Sequence, residues 1–213
     1  KDPELGEHPY LYSGLKNNYS CENTLIDFTS YYGLISNYQI FSNPDTVDSI
    51  IIKIFLPETS IVSLPDISLR YLDNDIDSIF QENKTVFNNF NINDVSTSLN
   101  MGQFILSPID TSSNILSIEV KLTRDANDLI LSQFISNSED TTKTFLLNKI
   151  ENSIDFIKMY SSEAYYKPEL RIFYTINDSL DSAYATSIML PVVQDVTLVS
   201  IDTVGQNIDN HLL

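Results

Sequence analysis

Cysteine occurs once in the 213 residues, at Cys21, so the chain can close no internal disulfide and build no cysteine-based zinc or redox centre. A lone thiol of this kind reads as a half-buried small hydrophobe. Tryptophan is absent, and glycine appears only five times. So few glycines do not readily supply a phosphate-cradling loop, and no G-x-S-x-G elbow is present to raise a serine nucleophile. The two histidines, His8 and His211, lie near opposite ends, a poor start for a triad or a two-histidine metal site. Long apolar runs are also missing. The densest, residues 49–56 (SIIIKIFL), is strand-sized and far short of the ~18 residues a membrane helix needs. Basic residues are scarce as well: 12 Lys and Arg stand against 29 Asp and Glu, a formal charge of −17. A surface this negative repels phosphate backbones and anionic lipid, which argues against nucleic acid and membrane surfaces as partners.

What is present is a strand-forming chain. Apolar residues make up 42% and aromatics 11%, enough for a real core in one large domain or two small ones. Residues 24–28, 49–56, 67–72, 102–106, 115–122, 143–147, 154–160, 169–175 and 192–199 are short and rich in β-branched and aromatic side chains. In 49–56, Ile50, Ile52, Ile54 and Leu56 share one face while Lys53 points to the other; in 115–122, Leu116, Ile118, Val120 and Leu122 alternate with Ser117, Glu119 and Lys121. Such alternation predicts sheets with one wet and one buried face. One segment departs from it. After Asp125, Ile130 and Phe134 fall four apart, which predicts a helix with Asp125 as its N-cap and Asp128 in its first turn. Polar linkers at 36–48 and 87–98 separate the strands. The pattern points to an all-β fold, an antiparallel β-sandwich of jelly-roll type with one short helix.

Three blocks of sequence stand out when taken in order. The first joins residues 9–15 (PYLYSGL), 24–28 (TLIDF) and the strand 49–56. The second runs from 118–123 (IEVKLT) into 128–134 (DLILSQF), and the third from 156–160 through 161–164 (SSEA) to 167–175 (KPELRIFYT). Together the blocks resemble the DNRLRE-type β-sandwich domains of secreted and surface proteins of bacteria and archaea, over about residues 9–176. The resemblance implies a sandwich module placed outside the cell, secreted or on the outer surface, with a lipid anchor upstream of residue 1 as one arrangement. The start at Lys1-Asp2-Pro3 fits a mature or trimmed product. Some members of the family are classed as carbohydrate-binding modules. In the third block Glu163 is expected to bond the amides of its turn or to pair with Arg171.

The candidate sites are few. Asp73, Asp75 and Asp77 alternate as calcium ligands could, but an EF-hand would also need Gly at 78 and Glu at 84, where the chain has Ser78 and Lys84. A calcium site in a sandwich loop and a plain solvated acidic loop both fit. Acids for glycoside hydrolysis are numerous, yet no pair stands out, since Asp27, Glu119 and Asp155 fall on strand faces that read as wet. No enzyme is therefore expected. Tyrosines make the better case for binding, because a flat sugar face stacks on a ring whose polar tip tolerates water. Adjacent Tyr31-Tyr32 and Tyr165-Tyr166 are the candidate carbohydrate-binding pairs, with half-exposed sheet tyrosines as the structural alternative. Residues 177–182 read as a linker, and 187–201 are too apolar for a free tail. That strand, with Val192, Val196, Leu198 and Ile201, either completes the 9–176 sandwich or pairs with a neighbouring domain or subunit. The expectation is a non-catalytic structural or protein-interaction module with extracellular protein partners or self-association, and with a neutral polysaccharide as the alternative ligand.

Overall fold

The computed structural model describes residues 9–16, 19–29, 47–57, 67–72, 102–108, 115–136, 142–149, 156–177 and 183–201. Among the described residues the strands are β1 (Tyr10–Lys16), β2 (Tyr19–Thr29), β3 (Val47–Leu56), β4 (Ile67–Leu72), β5 (Gly102–Pro108), β6 (Leu116–Leu122), β7 (Thr142–Lys149), β8 (Ile157–Tyr160), β9 (Glu169–Asn177) and β10 (Ala183–Ile201). A helix, α1 (Arg124–Ser136), lies between β6 and β7. Every pairing among these strands is antiparallel. The period-two pattern works as the residues demand: Ile50, Ile52, Ile54 and Leu56 of β3 all reach the core without solvent contact. Each such side chain contributes about 2 kcal/mol through removal of apolar surface from water.

The sheet order is β4-β7-β2-β10-β9-β3-β6-β5, with β1 pairing both β2 and β8. Ile67 and Leu69 of β4, near one end of this order, share one apolar cluster with Ile118 and Val120 of β6, near the other. Two distant parts of a sheet can cover the same core only if the sheet curls, and it does so as a half-barrel. The strand β1 changes partner midway. Its residues Tyr10 to Ser13 pair β8, and from Gly14 onward they pair β2. Gly14 has φ 110°, a conformation that a Cβ would penalise, so the crossing falls where the chain has none.

The long strand β10 changes partner in the same manner. Ala183 to Pro191 pair β9, and Val192 to Ile201 pair β2 with a register shift between Val192 and Gln194. Pro191 closes the β9 half of the strand, where its missing N–H suits the end of a ladder. The strand thus completes the chain's own sheet. Val192 joins the main core, while Val196 and Leu198 join a second buried cluster with Leu25, Leu72 and Leu146. Leu25 and Leu146 are register partners on the face opposite Ile26 and Phe145, so β2 and β7 are buried on both faces rather than one.

The helix forms where expected, but its cap differs. Thr123, not Asp125, is the N-cap: its hydroxyl accepts the Ala126 N–H at 3.3 Å and its carbonyl accepts the Asn127 N–H at 2.9 Å. The chain leaves β6 at Leu122 in extended form, so Thr123 is the last residue with the β-region backbone a cap requires. Asp125 then sits inside the first turn, where its charge favours the helix dipole. Among its described side chains, Ala126, Ile130 and Leu131 are buried.

Candidate functional site

Between β8 and β9 the chain makes a short connection over residues 161–168, and hydrogen bonds hold its start tightly. Ser161 N–H donates to the Pro9 carbonyl at 3.2 Å, and Ala164 N–H to the Ser161 carbonyl at 3.1 Å. Ser162 N–H donates to Asp195 Oδ2 at 2.5 Å, and Glu163 N–H to Ser161 Oγ at 3.2 Å. Ser161, Ser162 and Ala164 are buried, whereas the next residue, Tyr165, is 91% exposed. Glu163 therefore gives its backbone to the turn. Arg171 pairs instead with Glu169, Nε to Oε2 at 2.7 Å, because the two share a face of β9 two residues apart.

The exposed Tyr165 ring stands edge-on to Tyr166, with centroids 5.0 Å apart at 83°. Tyr166 is in turn backed by Phe55 of β3 at 5.8 Å and by Tyr160 of β8 at 5.9 Å. Tyr160 continues to Tyr10 at 5.6 Å, and Lys158 Nζ lies 3.6 Å from the Tyr10 centroid. The result is an aromatic ledge whose outer ring is free to solvent and whose inner rings rest on three strands. Burial, and then Tyr10 and Tyr166, push the Tyr160 phenol above its usual value. Its neutral O–H is a hydrogen-bond donor rather than a base at ordinary pH.

Beside the ledge runs a groove of about 320 Å³, at the lower end of small-molecule sites. One wall is Tyr165, Tyr166, Lys167, Pro168, Glu169 and Arg171, and the other is Met189, Pro191 and Val192 of β10, with Phe55 completing the lining. Met189 is 52% exposed. Most of the lining is apolar and aromatic, with the Glu169–Arg171 ion pair and Lys167 as charged groups.

Among the described residues two acidic side chains are buried, Asp27 and the Asp195 that meets the turn. Asp27 has no solvent exposure, which corrects the wet face expected for it. It accepts hydrogen bonds from Thr144 Oγ1 and, at 2.6 Å, from Gln194 Nε2. Such partners offset the cost of taking a carboxylate out of water. Asp195 is 3% exposed on the next strand. In the ladder Asp27 faces Gln194 while Asp195 faces Ile26, so the two acids point to opposite sides of the sheet and form no pair. Glu119 is tied to Lys53, at 3.0 Å.

Of the candidate residues, Tyr165 and Tyr166 stand together on the ledge. Tyr31, Tyr32, Asp73, Asp75 and Asp77 lie outside the described residues, as does Asp155. Val192, Val196 and Leu198 are buried in the chain's own clusters, and Ile201 is paired with Tyr19 in the ladder. Of the two roles expected for this strand, the ladder shows the first: Val192 to Ile201 pair β2, an antiparallel neighbour within the chain that is available without the entropy of association. Asp195, Met189 and Pro191 are site residues that the sequence did not single out. The one signal was Gln194-Asp195 interrupting an otherwise apolar run. Among the described residues no cluster of three metal-ligating side chains occurs, and no helix is long and apolar enough to cross a membrane. No protein-family model matches the chain, and comparisons with curated proteins and with solved structures return no match either.

Proposed function

We propose that the chain is a non-catalytic β-sandwich module of jelly-roll type, working outside the cell, whose Tyr165–Tyr166 ledge binds a neutral glycan. The observation that carries this reading is a nearly fully exposed ring, Tyr165, set on a supported ring, Tyr166, beside a groove lined mainly by apolar and aromatic groups. A pyranose has an apolar face that stacks on such a ring and hydroxyls that the phenol tips and the charged rim can bond. The net charge of −17 disfavours a polyanionic ligand. The jelly-roll reading is supported by two antiparallel groups, β4-β7-β2 and β9-β3-β6-β5, that cover one core and are linked by β10. The extracellular reading rests on the resemblance to DNRLRE-type domains.

An affinity gel cast with a panel of neutral polysaccharides tests the proposal. At least one should retard the chain, and Tyr165→Ala should weaken binding about tenfold, worth ~1.4 kcal/mol, with an unchanged melting temperature. Mobility equal to that of a non-binding control across the whole panel would refute it. A structural or protein-interaction role is the second reading, favoured by exposed Met189 and Val193 near the groove, residues more typical of a protein contact than of a sugar site.

A further inference from the structure

The two walls of the groove belong to different parts of the chain. One is the connection that carries Tyr165 and Tyr166 into β9, and the other is β10. At the foot they are joined by the ladder, where Glu169 is the register partner of Pro191. That pair is the last of the β9–β10 ladder, so residues 161–168 lie beyond its reach.

We propose that Asp195 is the positioning residue of the tyrosine ledge, holding the Tyr165–Tyr166 wall at a fixed height over β10. Its carboxylate accepts the Ser162 N–H at 2.5 Å, a short charge-assisted bond between two buried residues. Ser162 lies three residues before Tyr165, and Asp195 three residues after Val192, so the bond spans the two walls just outside the groove. The Ser162 hydroxyl is buried without a hydrogen-bond partner, so this serine is held at its place by its backbone rather than its side chain. Ser161 Oγ supports Glu163 N–H within the turn itself. The link across to β10 runs through Asp195. The position of Asp195 follows from the partner change of β10: past the irregularity between Val192 and Gln194 the strand turns to β2, and the carboxylate is brought under the turn at residues 161–164. Loss of this bond would free the ledge to move relative to Met189 and Val192 while the ladders stay intact.

The consequence for binding rests on the glycan reading of the same groove. A ligand that touches both walls should depend on Asp195, and a single sugar stacked on Tyr165 alone should not. The test compares Asp195→Ala and Asp195→Asn with the wild type, after circular dichroism has shown that each is folded. Asn keeps an oxygen that can accept the Ser162 N–H but lacks the charge, and it stands in for Ala if the latter fails to fold. Amide exchange at Ser162 and Glu163 should speed up about tenfold or more in Asp195→Ala and less in Asp195→Asn, with no change in β3. Affinity for a neutral tetrasaccharide retained by the wild type should fall about tenfold in Asp195→Ala and recover partly in Asp195→Asn, while a monosaccharide binds as before. Unchanged exchange at Ser162 in folded variants overturns the positioning role, whatever the ligand. If the wild type binds no glycan, the exchange measurement decides the positioning role by itself, and only the glycan reading falls.

Discussion

Burial on β2 pushes the Cys21 thiol from its ordinary value of 9.0 to about 11, because the thiolate would lose its water. The thiolate is the reactive form, so the folded chain should resist a thiol-specific reagent at pH 8 and react within minutes in denaturant. Equal rates in both states would show that Cys21 is accessible. The same shift bears on stability. Below about pH 9 both states keep the proton and the burial is fully expressed; between there and about 11 the unfolded chain releases a proton that the folded chain retains, so stability falls as pH rises. Tyr12 and Tyr160, also pushed up by burial, act in the same direction at higher pH. Single residues were read least well where polarity and burial disagree. Asp27 sits at a polar position of an alternating strand, yet Leu25 on the same face signalled that this face was apolar too. A second cluster covers it, and Thr144 and Gln194 arrive from other strands to satisfy the carboxylate.

At the scale of elements, the strands were largely legible because burial on a sheet repeats every two residues. Residues 67–72 match β4 from end to end, and 116–122 match β6 within one residue of the expected start. The partner changes of β1 and β10 left fainter marks, a glycine and a proline within otherwise strand-like runs. At Gly14 the mark has a measurable cost. Gly14→Ala places a Cβ at φ 110°, which should destabilise the fold by about 1–2 kcal/mol. Chemical denaturation would show it as a lower midpoint at constant slope. A midpoint equal to the wild type would mean that the crossing relaxes to an ordinary strand geometry. The helix shows the opposite sort of lesson. Its existence followed from the spacing of Ile130 and Phe134, but its cap depends on where β6 stops, and the last residue of that strand, Leu122, is held by pairing with Gly102 of β5.

For the whole molecule, β10 matters most. It lies between β2 and β9 in the order, so removing it would separate β4-β7-β2 from β9-β3-β6-β5 and strip Ile188, Leu190 and Val192 from the core. A chain ending at residue 182 should therefore lose cooperative folding, seen as loss of the sharp thermal transition by circular dichroism. A sharp transition in that truncated chain would show that residues 9–176 fold without their last strand. The ledge is equally a product of the whole. Tyr166 rests on Phe55 and Tyr160, which come from β3 and β8, and its wall is tied to Asp195 on β10.

The sequence by itself determined that this is a strand-rich chain with an alternating apolar face, a helix following Asp125 or close to it, no internal disulfide and a strongly negative net charge. These follow from local periodicity and composition, which act over a few residues. Only the tertiary structure decided which strands are neighbours, that β2 and β7 are covered on both faces, and that Asp195 meets Ser162 across 33 positions of sequence. Backbone ladders use the same N–H and C=O groups whatever the side chain, so the choice of partner is carried by the packing of the whole core rather than by any one strand.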